Sequence, residues 1–235
     1  MAETSTSLII GFILTTFIAL WFLFKASRNK KIILGIIIWM LIVSVLGLSK
    51  FYGNTDAFPP RFFFLLGPGL LFVLIIFLNR HVRKVISSFN LKWLTLLHII
   101  RIPVEYFLYF IYLEGLIPEL MTFNGYNFDI LSGITAPIIY YLVFVKKWVG
   151  NKGLLFWNII CLGLLINILT IAFLSAQTPL QKLAFYQPNI GVTYFPFVWL
   201  PAVIVPIVLL SHLSSIRQLL ILLKRKQTND NQNSC

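Results

Sequence analysis

Long apolar stretches, separated by short polar segments, run through almost the whole chain. Seven of them are long enough to cross the roughly 30 Å hydrocarbon core of a bilayer as helices, which takes about 20 residues. They cover residues 6–24, 32–49, 62–79, 93–113, 129–145, 154–174 and 195–216. The pattern predicts an all-α integral membrane protein, a single bundle of seven transmembrane helices over residues 1–226. The tail 227–235 is rich in Asn and Gln, and we expect it to be disordered.

The composition favours a membrane location. Of the 235 residues, 59% are hydrophobic and only 11% are charged, whereas a soluble domain is usually nearer half apolar and a quarter charged. A soluble globule of this size could not bury so much apolar surface, because surface takes a large share of a small fold. The lipid bilayer is therefore an expected partner of the chain.

Lysines and arginines alternate in number between successive connections. The segments after the first, third, fifth and seventh stretches hold 15 of them, and the segments on the other side hold three, Lys50, Arg61 and Lys182. The fifteen are Lys25, Arg28, Lys30, Lys31, Arg80, Arg83, Lys84, Lys92, Lys146, Lys147, Lys152, Arg217, Lys224, Arg225 and Lys226. Cytoplasmic loops carry an excess of Lys and Arg. We therefore predict a bacterial inner-membrane protein with its N-terminus outside and its C-terminus inside.

The net charge of +12 does not point to nucleic acid. Nucleic-acid binding needs the cations on a solvated basic face, and no connection here is long enough to form such a domain. We exclude nucleic acid as a partner. The G-x-S-x-G, H-E-x-x-H, G-x-x-x-x-G-K-[ST] and C-x-x-C motifs are also absent. Their absence favours a role other than catalysis, although it leaves the question of an enzyme open.

Polar side chains align on one face of the fourth stretch. With about 3.6 residues per helical turn, the side chains of His98, Arg101, Glu105, Tyr109 and Tyr112 share one narrow stripe. A charged side chain at the bilayer centre costs at least ~2.5 kcal/mol. We therefore expect Arg101 to pair with Glu105, one turn away, or with another acid at the same depth.

Two interpretations of this stripe stay open. The first is a polar cavity or relay for an anion, a proton or a headgroup, because charges inside a membrane usually mark function. The second is a buried network that only fixes helix packing. Asn158 on the sixth stretch and His212 on the seventh lie at a depth comparable to His98 and could join the same site. Asp129 begins the fifth stretch, where we expect it to act as a helix cap.

His98 and His212 also form a weak candidate pair for a metal or haem. Histidines at matched depth on two helices can hold either group, but there is no accompanying spacing motif. Ordinary hydrogen-bonded histidines explain the pair better. We therefore predict neither a metal nor a cofactor.

Three functional hypotheses follow from these residues. The first is a small transporter, permease or ligand-binding bundle with its polar site on the fourth span and a small anionic or protonatable ligand near Arg101, whose planar fork suits a carboxylate or phosphate. The second is a structural, sensory or assembly partner without a substrate. The third is a membrane-embedded redox enzyme that uses His98 and His212.

Three segments carry a resemblance. HIIRIPVE (98–105), MTFNGYNFDILSGITAP (121–137) and YFPFVWLPAVIVP (194–206) resemble segments of uncharacterised multi-pass membrane proteins of bacteria, particularly Bacteroidota. The resemblance implies a multi-pass bacterial membrane protein and implies no activity.

Overall fold

The computed structural model describes residues 6–53, 59–79, 83 and 85–232, and this part of the chain is helical without a β-strand. One isolated bridge joins Ala176 and Asn189. Each predicted apolar stretch forms a main helix. The helices are α1 (Thr6–Ser27), α2 (Lys30–Leu48), α3 (Phe63–Leu78), α4 (Leu91–Leu113), α5 (Ile130–Val145), α6 (Asn151–Leu174) and α7, a π-helix (Leu200–Ile204) that leads into an α-helix (Val205–Gln232).

Five of these helices, α1, α2, α4, α6 and α7, are long and apolar enough to cross a membrane. The helices α3 and α5 are apolar but shorter. The prediction of an all-helical chain with membrane-spanning helices is therefore confirmed in this coarser form. The count of seven spans and the orientation stay predictions.

The structure describes the first part of the C-terminal tail. Residues 227–232, for which the composition predicts disorder, lie in the last part of α7. Extending an existing helix adds one hydrogen bond per residue without a new nucleation cost, and Thr228 Oγ1 donates to the carbonyl of Lys224 inside this extension. Residues 233–235 of the tail, and the cations Arg80 and Lys84 used to predict the orientation, lie outside the described residues.

Helix α4 forms the centre of the bundle. It packs against α1, α5 and α7, and most of its length is buried, whereas α2 is mostly exposed. Apart from Lys30 and Lys31 at its start, α2 exposes mainly apolar residues, among them Leu41, Val45 and Leu48. Such a surface is unfavourable in water and suits contact with lipid. The polar stripe of the fourth stretch accordingly lies on the helix with the most protein around it.

A local irregularity aligns the polar residues of α4. The helix changes to a 3-10 turn at His98–Ile100 and resumes as an α-helix at Arg101. Pro103 follows closely, and its ring lacks an N–H group and crowds the carbonyl group four residues earlier, that of Ile99. In a 3-10 turn the side chains at i and i+3 eclipse each other. The turn therefore brings the His98 and Arg101 side chains onto one line.

Glycines allow two close helix contacts around the same region. A Cβ atom at Gly133 on α5 would lie 2.8 Å from Cγ1 and 3.0 Å from the backbone nitrogen of Ile102 on α4. A Cβ atom at Gly69 on α3 would lie 2.5 Å from Cγ of Pro206 on α7. At both positions a side chain would be too close to the neighbouring helix. Glycine therefore sets how closely α5 approaches α4 and how closely α3 approaches α7.

Pro206 also affects the backbone of α7. It cannot donate to the carbonyl group of Ala202, four residues earlier, and the preceding turn is a π-helix. The indole Nε1 of Trp39 on α2 donates to this carbonyl oxygen at 3.1 Å. A hydrogen bond from another helix thus satisfies a carbonyl group that the proline leaves without its helical partner.

Candidate functional site

Arg101 is the centre of a buried polar network. Its side chain is 3% exposed. The guanidinium Nη1 donates to Asp129 Oδ1 at 2.5 Å and to the carbonyl of Cys161 at 3.4 Å. The guanidinium Nη2 lies 3.0 Å from His212 Nε2. Residues at the start of α5, on α6 and on α7 therefore converge on one side chain of α4. Arg101 and Asp129 form a buried ion pair.

The acid that pairs with Arg101 is not Glu105, the first candidate predicted from the sequence. Arg101 pairs with Asp129, the kind of second acid that the argument allowed, and not with Glu105. Side chains of a helix lean toward its N-terminus, so the guanidinium points toward His98 and His212, away from Glu105. Asp129 occupies the N-cap position of α5, as expected, but its side chain makes no capping hydrogen bond there and binds Arg101 instead.

Glu105 binds an amide group. Asn127 Nδ2 donates to both carboxylate oxygens of Glu105, at 2.7 and 2.6 Å, and also to the carbonyl of Met121 at 2.9 Å. Asn127 Oδ1 accepts from the backbone N–H of Asp129 at 3.1 Å. Asn127 thus links the two acids. Asn127 was not identified from the sequence, although its close spacing to Asp129 at the start of an apolar stretch is a usable signal.

Asn158 and His212 extend the network toward the other side. Asn158 Nδ2 donates to the carbonyl of Leu154 at 2.9 Å, which places its acceptor Oδ1 3.0 Å from His212 Nδ1. His212 Nδ1 therefore carries the proton, and His212 Nε2 is the acceptor for Arg101. His212 is a neutral imidazole in this arrangement, and its tautomer is set by the Asn158 amide.

His98 lies directly on His212. The two ring centroids are 3.9 Å apart and the rings are tilted by 16°. His98 Nε2 lies 3.3 Å from Ser211 Oγ, and Trp157 meets the His98 ring edge-on at 5.6 Å. A haem cannot fit between stacked rings. The stacked arrangement therefore does not suit His98 and His212 as the two axial ligands of a haem.

Tyr109 and Tyr112 lie apart from the network. Both are half-buried, and Tyr109 stacks on Phe123 with ring centroids 5.0 Å apart. Within the described part of the chain, no hydrogen bond joins either hydroxyl group to Arg101, Glu105 or their partners. Of the seven residues proposed from sequence, His98, Arg101, Glu105, Asn158 and His212 meet in the buried region, and these two do not.

A cavity of about 70 Å³ adjoins the network. Its polar lining consists of Arg101, Glu105, Asp129 and Asn189. Its walls are otherwise apolar and include Leu108, Leu165, Ile168, Ala172, Ile204 and Val208. This space can hold several water molecules or a narrow apolar group. The cavity follows α6 from Leu165 to Phe173 and is polar where it meets α4.

Two buried polar atoms of the lining residues have no partner. Arg101 Nε lacks an acceptor, and Asn189 Oδ1 lacks a donor, although each residue is at most 3% exposed. Leaving such a group without a hydrogen bond costs about 1–3 kcal/mol, and more for a charged group. One guanidinium and two carboxylates line the cavity, so the local charge does not favour a further anion.

A family model described as a domain of unknown function (DUF8737) matches residues 58–220. The matched range covers more than half of the chain and contains every residue of the network and of the cavity lining. No curated protein and no solved structure shows significant similarity to the chain.

Proposed function

For a chain that belongs to the DUF8737 family of domains of unknown function, we propose the role of a multi-pass protein of the bacterial inner membrane that binds a small amphipathic molecule. It would act as a permease or as a ligand-binding bundle, with its site between α4, α6 and α7. The polar end of the site is the Arg101 network, and the apolar end is the wall formed by α6 and α7.

The observation that carries this proposal is the free N–H group at Arg101 Nε beside a cavity. The charge of Arg101 is already neutralised by Asp129, yet this residue, which lines the cavity, keeps a buried donor without an acceptor. A ligand with one acceptor atom would satisfy Nε. A ligand that also donates would satisfy Asn189 Oδ1, the second atom without a partner.

The ligand chemistry follows from the lining. The walls are apolar except for Arg101, Glu105, Asp129 and Asn189, which suits a short apolar chain with one polar headgroup. Two carboxylates beside one guanidinium disfavour an anionic headgroup, and an ammonium group has no acceptor for Arg101 Nε, so a neutral headgroup fits best. A carboxylic acid in its protonated form or a primary amide provides both an acceptor and a donor. The sequence predicted an anionic or protonatable ligand. Of these, the lining favours a ligand whose headgroup is neutral when it is bound.

The predicted orientation gives the side of entry. The cavity reaches Ala172 and Phe173 in the last turn of α6, and the cation distribution predicts this end of α6 outside. The ligand would therefore enter from the outer side and stop at the Arg101 network. In a permease, this geometry corresponds to an outward-facing binding site.

The test is binding of hexanamide and hexanoic acid to the purified protein, measured by isothermal titration calorimetry. We expect hexanamide to bind independently of pH, and hexanoic acid to bind more tightly as the pH falls toward the pKa of the free acid. Ala172→Phe, which fills the cavity, should abolish binding. Ile160→Phe, on the exposed face of the same helix, is the matched control and should leave binding unchanged.

The contrary outcomes separate the alternatives. Tighter binding of hexanoate at higher pH would show an anion site and contradict a neutral headgroup. If neither compound bound, or if the two phenylalanine variants behaved alike, the cavity would not be a ligand site.

The second candidate is a structural or assembly role without a substrate. It is favoured by the number of network groups that already have protein partners, among them Glu105, Asp129, Asn158 and His212. A network of this kind can serve helix packing alone. The redox hypothesis has less support, since the stacked rings of His98 and His212 do not suit paired ligation of a haem.

A further inference from the structure

A second cavity lies near the other end of α4. It has a volume of about 550 Å³ and is lined by three arginines, Arg83, Arg217 and Arg225. Arg83 belongs to the segment between α3 and α4, and the other two lie on α7. The remaining lining residues are Ser87, Gln218, Ile221 and Leu222. This basic cavity shares no residue with the lining of the Arg101 cavity.

Hydrogen bonds hold the walls of the basic cavity together. Gln218 Nε2 donates to the carbonyl groups of Ile86 and Phe89, at 3.0 and 3.1 Å, and so fastens the segment before α4 to α7. Ser87 Oγ donates to the carbonyl of Arg83 at 2.8 Å and accepts from Arg217 Nε at 3.4 Å. The cavity is therefore a fixed feature of the fold.

The spacing on α7 places charge and apolar surface on one face. Arg217, Ile221 and Arg225 follow each other at intervals of four residues, which puts their side chains in one row along a helix. Leu222 completes an apolar wall and is 40% exposed. The cavity thus combines three guanidinium groups with a surface that water solvates poorly.

No acid from the neighbouring sequence balances these arginines. The segments 25–31, 80–92, 146–152 and 217–229, which the charge pattern predicts on one side of the membrane, contain neither Asp nor Glu. Asp230, the next acid along the chain, comes five residues after Arg225, and no acid is among the described residues that line the cavity. Three guanidinium groups that share a cavity repel each other, so an anion from outside the chain would stabilise this arrangement.

Topology alone does not account for the cavity. Retaining a loop in the cytoplasm requires positive charge, which Lys and Arg provide equally well. All the cationic residues that are described in the lining are arginines, and the planar fork of arginine binds phosphate oxygens through paired hydrogen bonds. Basic pockets beside membrane helices on the cytoplasmic side are known to suit lipid headgroups.

We propose that the basic cavity binds the phosphate group of an anionic glycerophospholipid from the inner leaflet. The guanidinium groups of Arg83, Arg217 and Arg225 hold the phosphate, and the acyl chains lie along Ile221 and Leu222. This site is independent of the ligand proposed for the Arg101 cavity. The apolar wall and the predicted position at the membrane boundary favour a lipid over free phosphate.

The test measures lipid binding to the full-length protein in detergent by native mass spectrometry, with phosphatidylglycerol, phosphatidylcholine and inorganic phosphate as probes. The triple variant Arg83→Gln/Arg217→Gln/Arg225→Gln removes the guanidinium groups. Lys146→Gln/Lys147→Gln/Lys152→Gln removes the same charge from another segment of the same predicted side. A charge-assisted hydrogen bond that a guanidinium makes directly to the phosphate is worth about ten-fold in affinity, so the first variant should bind phosphatidylglycerol at least roughly a hundred-fold more weakly. The second should bind like the unmodified chain.

Three results would overturn the proposal. Equal losses in both triple variants would show diffuse attraction, equal binding of phosphatidylcholine would show that charge is irrelevant, and equally tight binding of inorganic phosphate would show a site for the free anion. If the arginine variant does not fold, Arg217→Lys keeps the charge and loses the fork. It should still bind phosphatidylglycerol several-fold more weakly, whereas Lys147→Arg should not change binding.

Discussion

Arg101 combines a neutralised charge with an incomplete set of hydrogen bonds. Asp129 compensates the charge, and Cys161 and His212 accept further N–H groups, but Nε has no partner. Burying an ion pair is costly in itself, because both groups lose water, and removing one partner is costlier still. The stability of the bundle therefore depends on which acid is removed.

The first prediction compares the two acids. Asp129→Asn leaves the Arg101 charge uncompensated and should lower the free energy of unfolding by about 3–5 kcal/mol. Glu105→Gln keeps an acceptor for Asn127 and should cost only about 1 kcal/mol. Thermal melting of the detergent-solubilised variants measures the order. A larger loss for Glu105→Gln would mean that Glu105 is the true counter-ion of Arg101.

The second prediction concerns the protonation of His212. Because Asn158 Oδ1 accepts from Nδ1, the ring should be neutral with its proton on Nδ1, which nitrogen-15 NMR of labelled histidine detects directly. In Asn158→Leu the proton should stay on Nδ1, because Arg101 still donates to Nε2, but the Nδ1–H signal should lose the shift that its hydrogen bond to Asn158 produces. A proton on Nε2 in the unmodified chain would place two donors against each other at Arg101 and contradict the network.

Residues of the network differed in how well sequence could identify them. His98, Arg101, Glu105, Asn158 and His212 stand out because a polar residue inside an apolar stretch is costly and must have a partner. Asn127 and Asp129 were missed in this role because polar residues are ordinary at the start of a helix, and only the packing of α5 on α4 buries them. Tyr109 and Tyr112 were included because helical periodicity identifies a face but not where a network ends.

At the scale of elements, the contact between α4 and α5 positions Asp129. Gly133 lies one turn after Asp129, and its lack of a side chain lets α5 approach the backbone of α4 at Ile102. The apolar pattern predicted six of the seven main helices within about three residues, whereas α7 begins five residues later and ends sixteen residues later than the predicted stretch 195–216. It could not predict the 3-10 turn of α4 or the π-helix of α7, because these depend on how each proline displaces a nearby carbonyl group and on which neighbour then binds it.

The third prediction uses glycine variants. Gly133→Ala should push α5 away from α4, lengthen the Arg101–Asp129 contact and lower the unfolding free energy by about 1–3 kcal/mol, as overpacking usually does. Gly163→Ala on α6 is the control, because nothing lies within 4 Å of a Cβ atom there. It should leave the melting temperature unchanged or raise it slightly, since alanine favours helix. Equal melting of both variants would show that the approach at Gly133 is not needed.

At the scale of the whole molecule, the uneven distribution of Lys and Arg determines the predicted orientation. The fourth prediction uses alkaline phosphatase, which is active only outside the inner membrane. A fusion after residue 114 should be active, and a fusion after residue 226 should be inactive, because 15 cations lie on the side of the C-terminus. An active fusion after residue 226 would reverse the orientation and with it the side from which the Arg101 cavity is entered.

The ion pair between Arg101 and Asp129 also has a consequence for biosynthesis. The two residues are 28 positions apart, so the ribosome completes α4 before the acid that neutralises it exists. Until then α4 carries an unpaired Arg101 and Glu105, and a charged residue at a helix centre opposes insertion by about 2.5–3.5 kcal/mol. We therefore expect α4 to wait beside the translocon and to enter the bilayer together with α5 as a helical hairpin. The loop 114–128 then sets the length of that delay.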